Sequence, residues 1–146
     1  MKSKLLFEDN GLKTFAVVFD KDEEVKEPLL TFASQNDLSS AQFTAIGGFS
    51  EVTLGYFDRQ TKTYRPIPIQ EQVEVLSFSG NIAQKDGEPK LHAHVVIGKS
   101  DGTAHGGHLL RGKVWPTLEM IISETPKHLQ RVQDEETGLA LIDLAA

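Results

Sequence analysis

No cysteine occurs among the 146 residues. That removes disulfides, thiolate metal ligands, iron–sulfur clusters and thiol nucleophiles together, and it fits a reducing compartment. No run approaches the roughly 18 consecutive apolar residues of a spanning helix, so no membrane partner is expected. The opening Met1-Lys-Ser-Lys-Leu-Leu-Phe-Glu-Asp9 begins like a secretion signal, but its apolar run ends after three residues at two acids. It reads as mature protein, and a cytoplasmic location is expected. Positive charge is scarce as well: 15 Lys and Arg stand against 21 Asp and Glu, a net −6. Binders of the nucleic-acid backbone normally carry a basic footprint, so this balance argues against one. The deficit is uneven. Residues 85–113 hold five bases and three acids, whereas 114–146 hold two bases and six acids.

Internal repeats, low-complexity tracts and long Pro/Ser linkers are also lacking. With 39% hydrophobic and 25% charged residues, the composition is that of a globular protein rather than a disordered one. The length suits one domain, taken as residues 1–146, that buries a sizeable core without staples.

Strand signals dominate the chain. Thr14–Phe19 is a compact β-branched and aromatic run. Pro28 suits a first helical turn, and the following residues to about Asn36 read as a helix. Ser39 or Ser40 is a candidate cap for a shorter turn. Phe43–Ile46 reads as a strand stopped by Gly47-Gly48, and Val52–Phe57 as another ending at Asp58-Arg59. Tyr64–Ile69, with Pro66 and Pro68, belongs at a sheet edge. Val73–Ser79 is expected to end at Gly80-Asn81, and Lys85–Pro89 is a turn cluster. Leu91–Ile97 is a strand, Asp101-Gly102 signals a hairpin-type turn, and Thr103–Leu110 returns. Thr117–Ile122 is a strong strand closed by Pro126, and Leu139–Ile142 a short one. The pattern gives an α+β fold with a largely antiparallel or mixed sheet.

Four of the five histidines fall between His92 and His108. His92 and His94 lie two apart on a strand, so they share a face with Cα atoms roughly 6.6 Å apart. That spacing lets two imidazoles converge on one cation. The Asp101-Gly102 turn folds the next segment back, bringing His105 or His108 near, and Gly106-Gly107 lets backbone approach closely. Three imidazoles without thiolate suit zinc or another borderline divalent metal, and three ligands leave a fourth position open. Glu74 or Glu119, on neighbouring strands, is a candidate partner or base for water there. The bland alternative is a pair of histidines on a polar strand face, with Gly106-Gly107 as a plain turn. His105 suits an exposed turn, and His128, after Pro126, a surface position.

Other motifs fail on inspection. Gly107–Val114 fits Gly-x-x-x-x-Gly-Lys, but Val114 replaces the Ser or Thr that a phosphate loop places on magnesium, and Trp115-Pro116 follow. No Gly-x-Ser-x-Gly elbow is present. The His-x-His pair is similar to the cupin metal pattern, yet Gly98 and Lys99 stand where cupins carry a glutamate.

The stretch Gly87-Glu-Pro-Lys-Leu-His-Ala-His-Val-Val-Ile-Gly98, then Asp101-Gly-Thr-Ala-His-Gly-Gly-His-Leu109, Gly112 and Thr117-Leu-Glu119, resembles the PPC domain (plants and prokaryotes conserved, DUF296) in its prokaryotic stand-alone form. Upstream, Ala45-Ile-Gly-Gly48, Leu54-Gly-Tyr-Phe-Asp58 and Glu74–Gly80 match in order, so the likeness runs over about 14–144. It implies a mixed, mostly antiparallel sheet with flanking helices, and a homotrimer. It also implies zinc at the His-x-His and Gly-Gly-His motifs, which here are His92, His94 and His108; His105 matches a position the motif does not require. The plant motif Gly-Arg-x-Glu-x-Leu-Ser-Leu is altered, with Gln72 and Phe78 in place of its Arg and second Leu. Plant relatives join the domain to an AT-hook, Arg-Gly-Arg-Pro, and bacterial relatives inherit a DNA-binding label by association. This sequence has no AT-hook: Arg111-Gly-Lys113 lacks the second arginine and the proline.

The expectations are therefore a trimeric metal-binding module with self as partner, a DNA-binding or interaction adaptor as the alternative, and a metal-free small-molecule module as the third. Enzymatic activity and substrate stay open.

Overall fold

The computed structural model describes residues 1–125 and 128–145. They form one nine-stranded sheet and one helix: β1 (Lys2–Asp9), β2 (Leu12–Phe19), α1 (Lys26–Gln35), β3 (Ser40–Asp58), β4 (Thr63–Ile69), β5 (Val73–Lys85), β6 (Glu88–Gly98), β7 (Ala104–Glu124), β8 (Gln130–Gln133) and β9 (Ala140–Asp143). The path runs β1-β2-β7-β3-β5-β8-β9, with β4 on β3 and β6 on both β5 and β7. Every pairing is antiparallel except one bridge, Gln84 with Gln130, between β5 and β8. The sheet is thus mixed and mostly antiparallel, as expected. The expectation of flanking helices is corrected: among the described residues there is a single helix.

The pairings β3–β5, β5–β6, β6–β7 and β7–β3 close a ring of four strands. Closure is possible because β3 and β7 are long, at 19 and 21 residues, and bend at bulges near Gly47, Phe49 and Thr53. Each of these strands was expected as two shorter pieces. Gly47-Gly48 does not stop β3. A Cβ at Gly47, with φ +151°, would lie 2.2 Å from the Thr117 carbonyl oxygen, and one at Gly48 would lie 2.3 Å from that of Trp115. The glycines admit the crossing backbone of β7, a role glycine takes inside strands as readily as ending them. Gly80 acts alike in β5: a Cβ there would lie 2.4 Å from the His92 carbonyl oxygen and 2.7 Å from the Phe43 ring. The strand continues past it to Lys85.

Two further elements depart from expectation. β1 forms a hairpin with β2 through Asn10-Gly11, both at positive φ, the turn chemistry that favours tight hairpins. Ser40 begins β3 instead of capping a turn. Pro126, expected to close the last long strand, lies outside the described residues; β7 runs to Glu124.

Helix α1 starts two residues before Pro28, which therefore sits in its first turn, where a missing N–H costs nothing. Glu27 in that turn favours the helix dipole. Leu29, Phe32 and Ala33, one helical face, are buried, and Phe32 meets Phe15 of β2 edge-on at 5.2 Å. Burying Leu29 and Phe32 contributes about 1.5–3 kcal/mol each. Phe19, Phe49, Phe78, Ile82, Ile97, Leu118 and Ile122 continue the same core. The inward set on β6 is Ala93, Val95 and Ile97, which turns His92, His94 and Val96 outward.

Candidate metal centre

The Asp86-Gly87 turn, both residues at positive φ, launches β6 from β5. The Lys99–Thr103 turn launches β7 from β6. In it Gly102 N–H donates to the Lys99 carbonyl at 2.9 Å, and Asp101 Oδ1 accepts from Thr103 N–H at 2.9 Å and its hydroxyl at 2.6 Å. This turn sets the register that places His94 directly opposite His108. Paired residues share a face, so His108 joins His92 and His94 on the outer side.

The three rings form a nearly equilateral cluster, with centroids 5.1 Å apart for His92–His94 and 5.4 Å for the two pairs with His108. One ligand nitrogen from each lies within 4.8 Å of the others. Nitrogens around zinc at ~2.0–2.1 Å stand roughly 3.3 Å apart, which small side-chain rotations would reach. His108 Nδ1 is buried without a hydrogen-bond partner, an exception to the rule that buried polar atoms are satisfied. Three imidazoles, one with an unpaired buried nitrogen, fit a divalent metal.

Electrostatics agree. Burial, then the neighbouring His92 and His94 and the Lys26 ammonium, hold the His108 imidazole down at about pH 4. Burial, then Arg131 and His94, lower His92 as well. Both rings are neutral near pH 7 and need lose no proton to ligate. Tyr64 of β4 stacks on His108 with centroids 4.4 Å apart, and burial raises its phenol pKa. Gly55, opposite His108, leaves room for it: a Cβ there would lie 2.9 Å from the Tyr64 ring.

The remaining candidates separate from the cluster. His105 pairs with the core residue Ile97, which puts it on the other face. Glu74 lies opposite Gly98, four residues along β6 from His94 and roughly 13 Å away at the strand rise. Glu119 pairs with Ile46 and Val18, eleven residues beyond His108 along β7. His128 is exposed and hydrogen-bonds Ser39.

Sequence reasoning passed over the cleft beside the triad. It measures about 370 Å³, and His92, His108, Tyr64, Lys26, Arg131 and Leu141 are among its lining residues. Arg131 comes from β8, which meets β5 through one bridge, and its guanidinium donates to Asn81 Oδ1 and, at 2.8 Å, to the Ala140 carbonyl. Asn81 is the cross-strand partner of His92. No local signal in the sequence foretells that meeting across 50 residues.

The chain is similar to several proteins. A PPC protein of Pyrococcus horikoshii shares 32% identity and a TM-score of 0.84, covering 89% of this chain and 90% of that one. A metal-containing protein of Archaeoglobus fulgidus shares 33% identity and a TM-score of 0.82, covering 97% and 99%. A presumed DNA-binding protein of Bacteroides thetaiotaomicron shares 25% identity and a TM-score of 0.86, covering 96% of each. The bifunctional protein GlmU of Synechococcus sp. (strain JA-3-3Ab) is 30% identical over 131 residues; the match takes in 88% of this chain, which spans 20% of the length of that curated relative. The profile of the Plants and Prokaryotes Conserved (PCC) domain matches residues 7–126. The chain belongs to the Plants and Prokaryotes Conserved domain family.

Proposed function

We propose that this chain is a metal-binding module of the family, a single domain over 1–146, that holds one divalent ion, zinc, through His92, His94 and His108. The observation that carries this reading is the convergence of three imidazoles from two strands, with His108 Nδ1 buried and unpaired. The metal-containing relative from Archaeoglobus fulgidus supports it. Three imidazoles without thiolate suit a borderline divalent metal, and zinc is the one we propose. Three protein ligands leave one coordination position for water or a ligand, where zinc supplies Lewis acidity. The three imidazoles bind, Tyr64 braces His108, and the turn at Asp101 fixes the register.

Metal analysis of untagged protein tests this: about one zinc per chain for the native protein and for His105→Ala, and none for His92→Ala or His108→Ala. A native chain without metal after zinc loading would overturn it.

Self-association is part of the same proposal. Ile46, Leu76 and Ile121 stand 62%, 53% and 47% exposed and line one shallow depression of the sheet. An apolar patch of this kind on a soluble protein suits an interface, and a homotrimer is the assembly we infer. Direct DNA binding is the competing reading, favoured by the name of the Bacteroides relative. The net charge of −6 runs against it. Duplex binding that falls steeply with salt would restore it.

A further inference from the structure

The cleft beside the triad is charged opposite to the chain. Lys26, Lys85, Lys90 and Arg131 line it, and none of its described lining residues is acidic, although the whole sequence carries −6. Among the described residues, none of these four makes an ion pair. Arg131 is the sharpest case. It is only 6% exposed; its two hydrogen bonds go to neutral acceptors, and its Nε is buried with no partner. A buried guanidinium without a counter-charge is costly, and an anion beside it offsets that cost. Leu91, Leu139 and Leu141 give the wall an apolar part as well.

Arg131 lies beyond the residues that match the family profile, yet it reaches the triad. It bonds Asn81, the partner of His92, and its charge acts on the His92 ring. Lys26, from the start of α1, acts likewise on His108.

We propose that this cleft binds a small organic acid, carboxylate or phosphate, with its acid group between Arg131 and the histidine triad and its apolar body against the leucines. The inference deepens the metal reading and rests on it only for the acid group's second contact. An acid group is the chemistry that answers both an unpaired guanidinium and an open metal position. The volume of about 370 Å³ is within the usual range for a small-molecule pocket.

The test uses three probes that share one ring: benzoate, phenyl phosphate and uncharged benzamide. Each is titrated into full-length protein, zinc-loaded and chelator-treated, with melting temperature as readout. The expected result is saturable stabilisation by at least one acid and none by benzamide, the tighter acid identifying the group recognised. Lys26→Gln/Lys90→Gln, both on exposed side chains, should weaken binding roughly three- to tenfold without lowering the melting temperature of the unliganded protein. Arg131→Met should abolish binding. Stabilisation by none of the probes, or by benzamide as much as by the acids, would overturn the proposal, as would undiminished binding in both variants. Zinc content measured on the same samples keeps the two readings apart. Acid binding that survives in protein unable to take up zinc sinks the metal reading alone.

Discussion

At His108 the imidazole stacks on Tyr64 and faces His92 and His94, and loss of hydration is the main reason it stays neutral. Its folded-state pKa, about 4, lies below the ordinary 6.5. Between those values the unfolded chain takes up a proton that the folded chain refuses, so stability falls as pH falls. Above about 6.5 both states are neutral and the stability is fully present. The lowered His92 adds in the same direction. Metal-free protein should therefore lose melting temperature as pH drops from about 6.5 to about 4, and His108→Asn should flatten that slope. Thermal unfolding of chelator-treated protein across that range checks it; an unchanged slope in the variant would assign the loss elsewhere. His92 and His94 were legible from their i, i+2 spacing. Spacing and the turn alone left His108 as one of two, and the resemblance of Gly106-Gly-His108 to the family motif selected it over His105; the physical reason for that choice is register.

Register belongs to the elements. The five residues 99–103 between β6 and β7 put His94 against His108 and Ile97 against His105, and a slip of one residue would exchange the faces. The hairpin turn itself was readable from Asp101-Gly102. The extent of β3 and β5 was not, because Gly47-Gly48 and Gly80-Asn81 look like stops. What they answer to is backbone packed at Cβ distance, which depends on distant residues. Gly80→Ala is the direct check. Its methyl would press on the backbone of His92 and Ala93, and overpacking of this kind costs about 1–3 kcal/mol. Because β6 carries two of the three imidazoles, zinc affinity should fall along with stability. Denaturant unfolding and zinc titration measure both; a variant as stable as the native protein would show that β6 shifts freely.

Over the whole molecule, the closed ring β3–β5–β6–β7 satisfies those strands on both sides and leaves the outer face free for other surfaces. One region of that face is the exposed apolar set around Ile46, Leu76 and Ile121. If it is the homotrimer interface, Leu76→Glu should shift the protein to monomer, since a buried unpaired carboxylate is costly. Sedimentation decides it, and an unchanged assembly would place the interface elsewhere. No helix among the described residues is long and apolar enough to cross a membrane. Charge is also a property of this scale. The −6 of the chain and the acid-free wall of the cleft coexist because the folded strands bring Lys26, Lys85, Lys90 and Arg131 together from separate parts of the sequence.

Composition, spacing and turn chemistry by themselves determined the restriction to imidazole and oxygen ligands, the His-x-His pair, the hairpin before Thr103 and the strand-rich class. These are local features, set by residue type and by the period of two along a strand. Only the tertiary structure decided that the glycines continue strands instead of ending them, and that Arg131 arrives beside His92; it also supplies the register that sets His108, already singled out by the Gly-Gly-His motif, against His94. Each of those depends on register and closure between residues far apart in sequence, and register is fixed by burial of one sheet face, which no local run of residues contains.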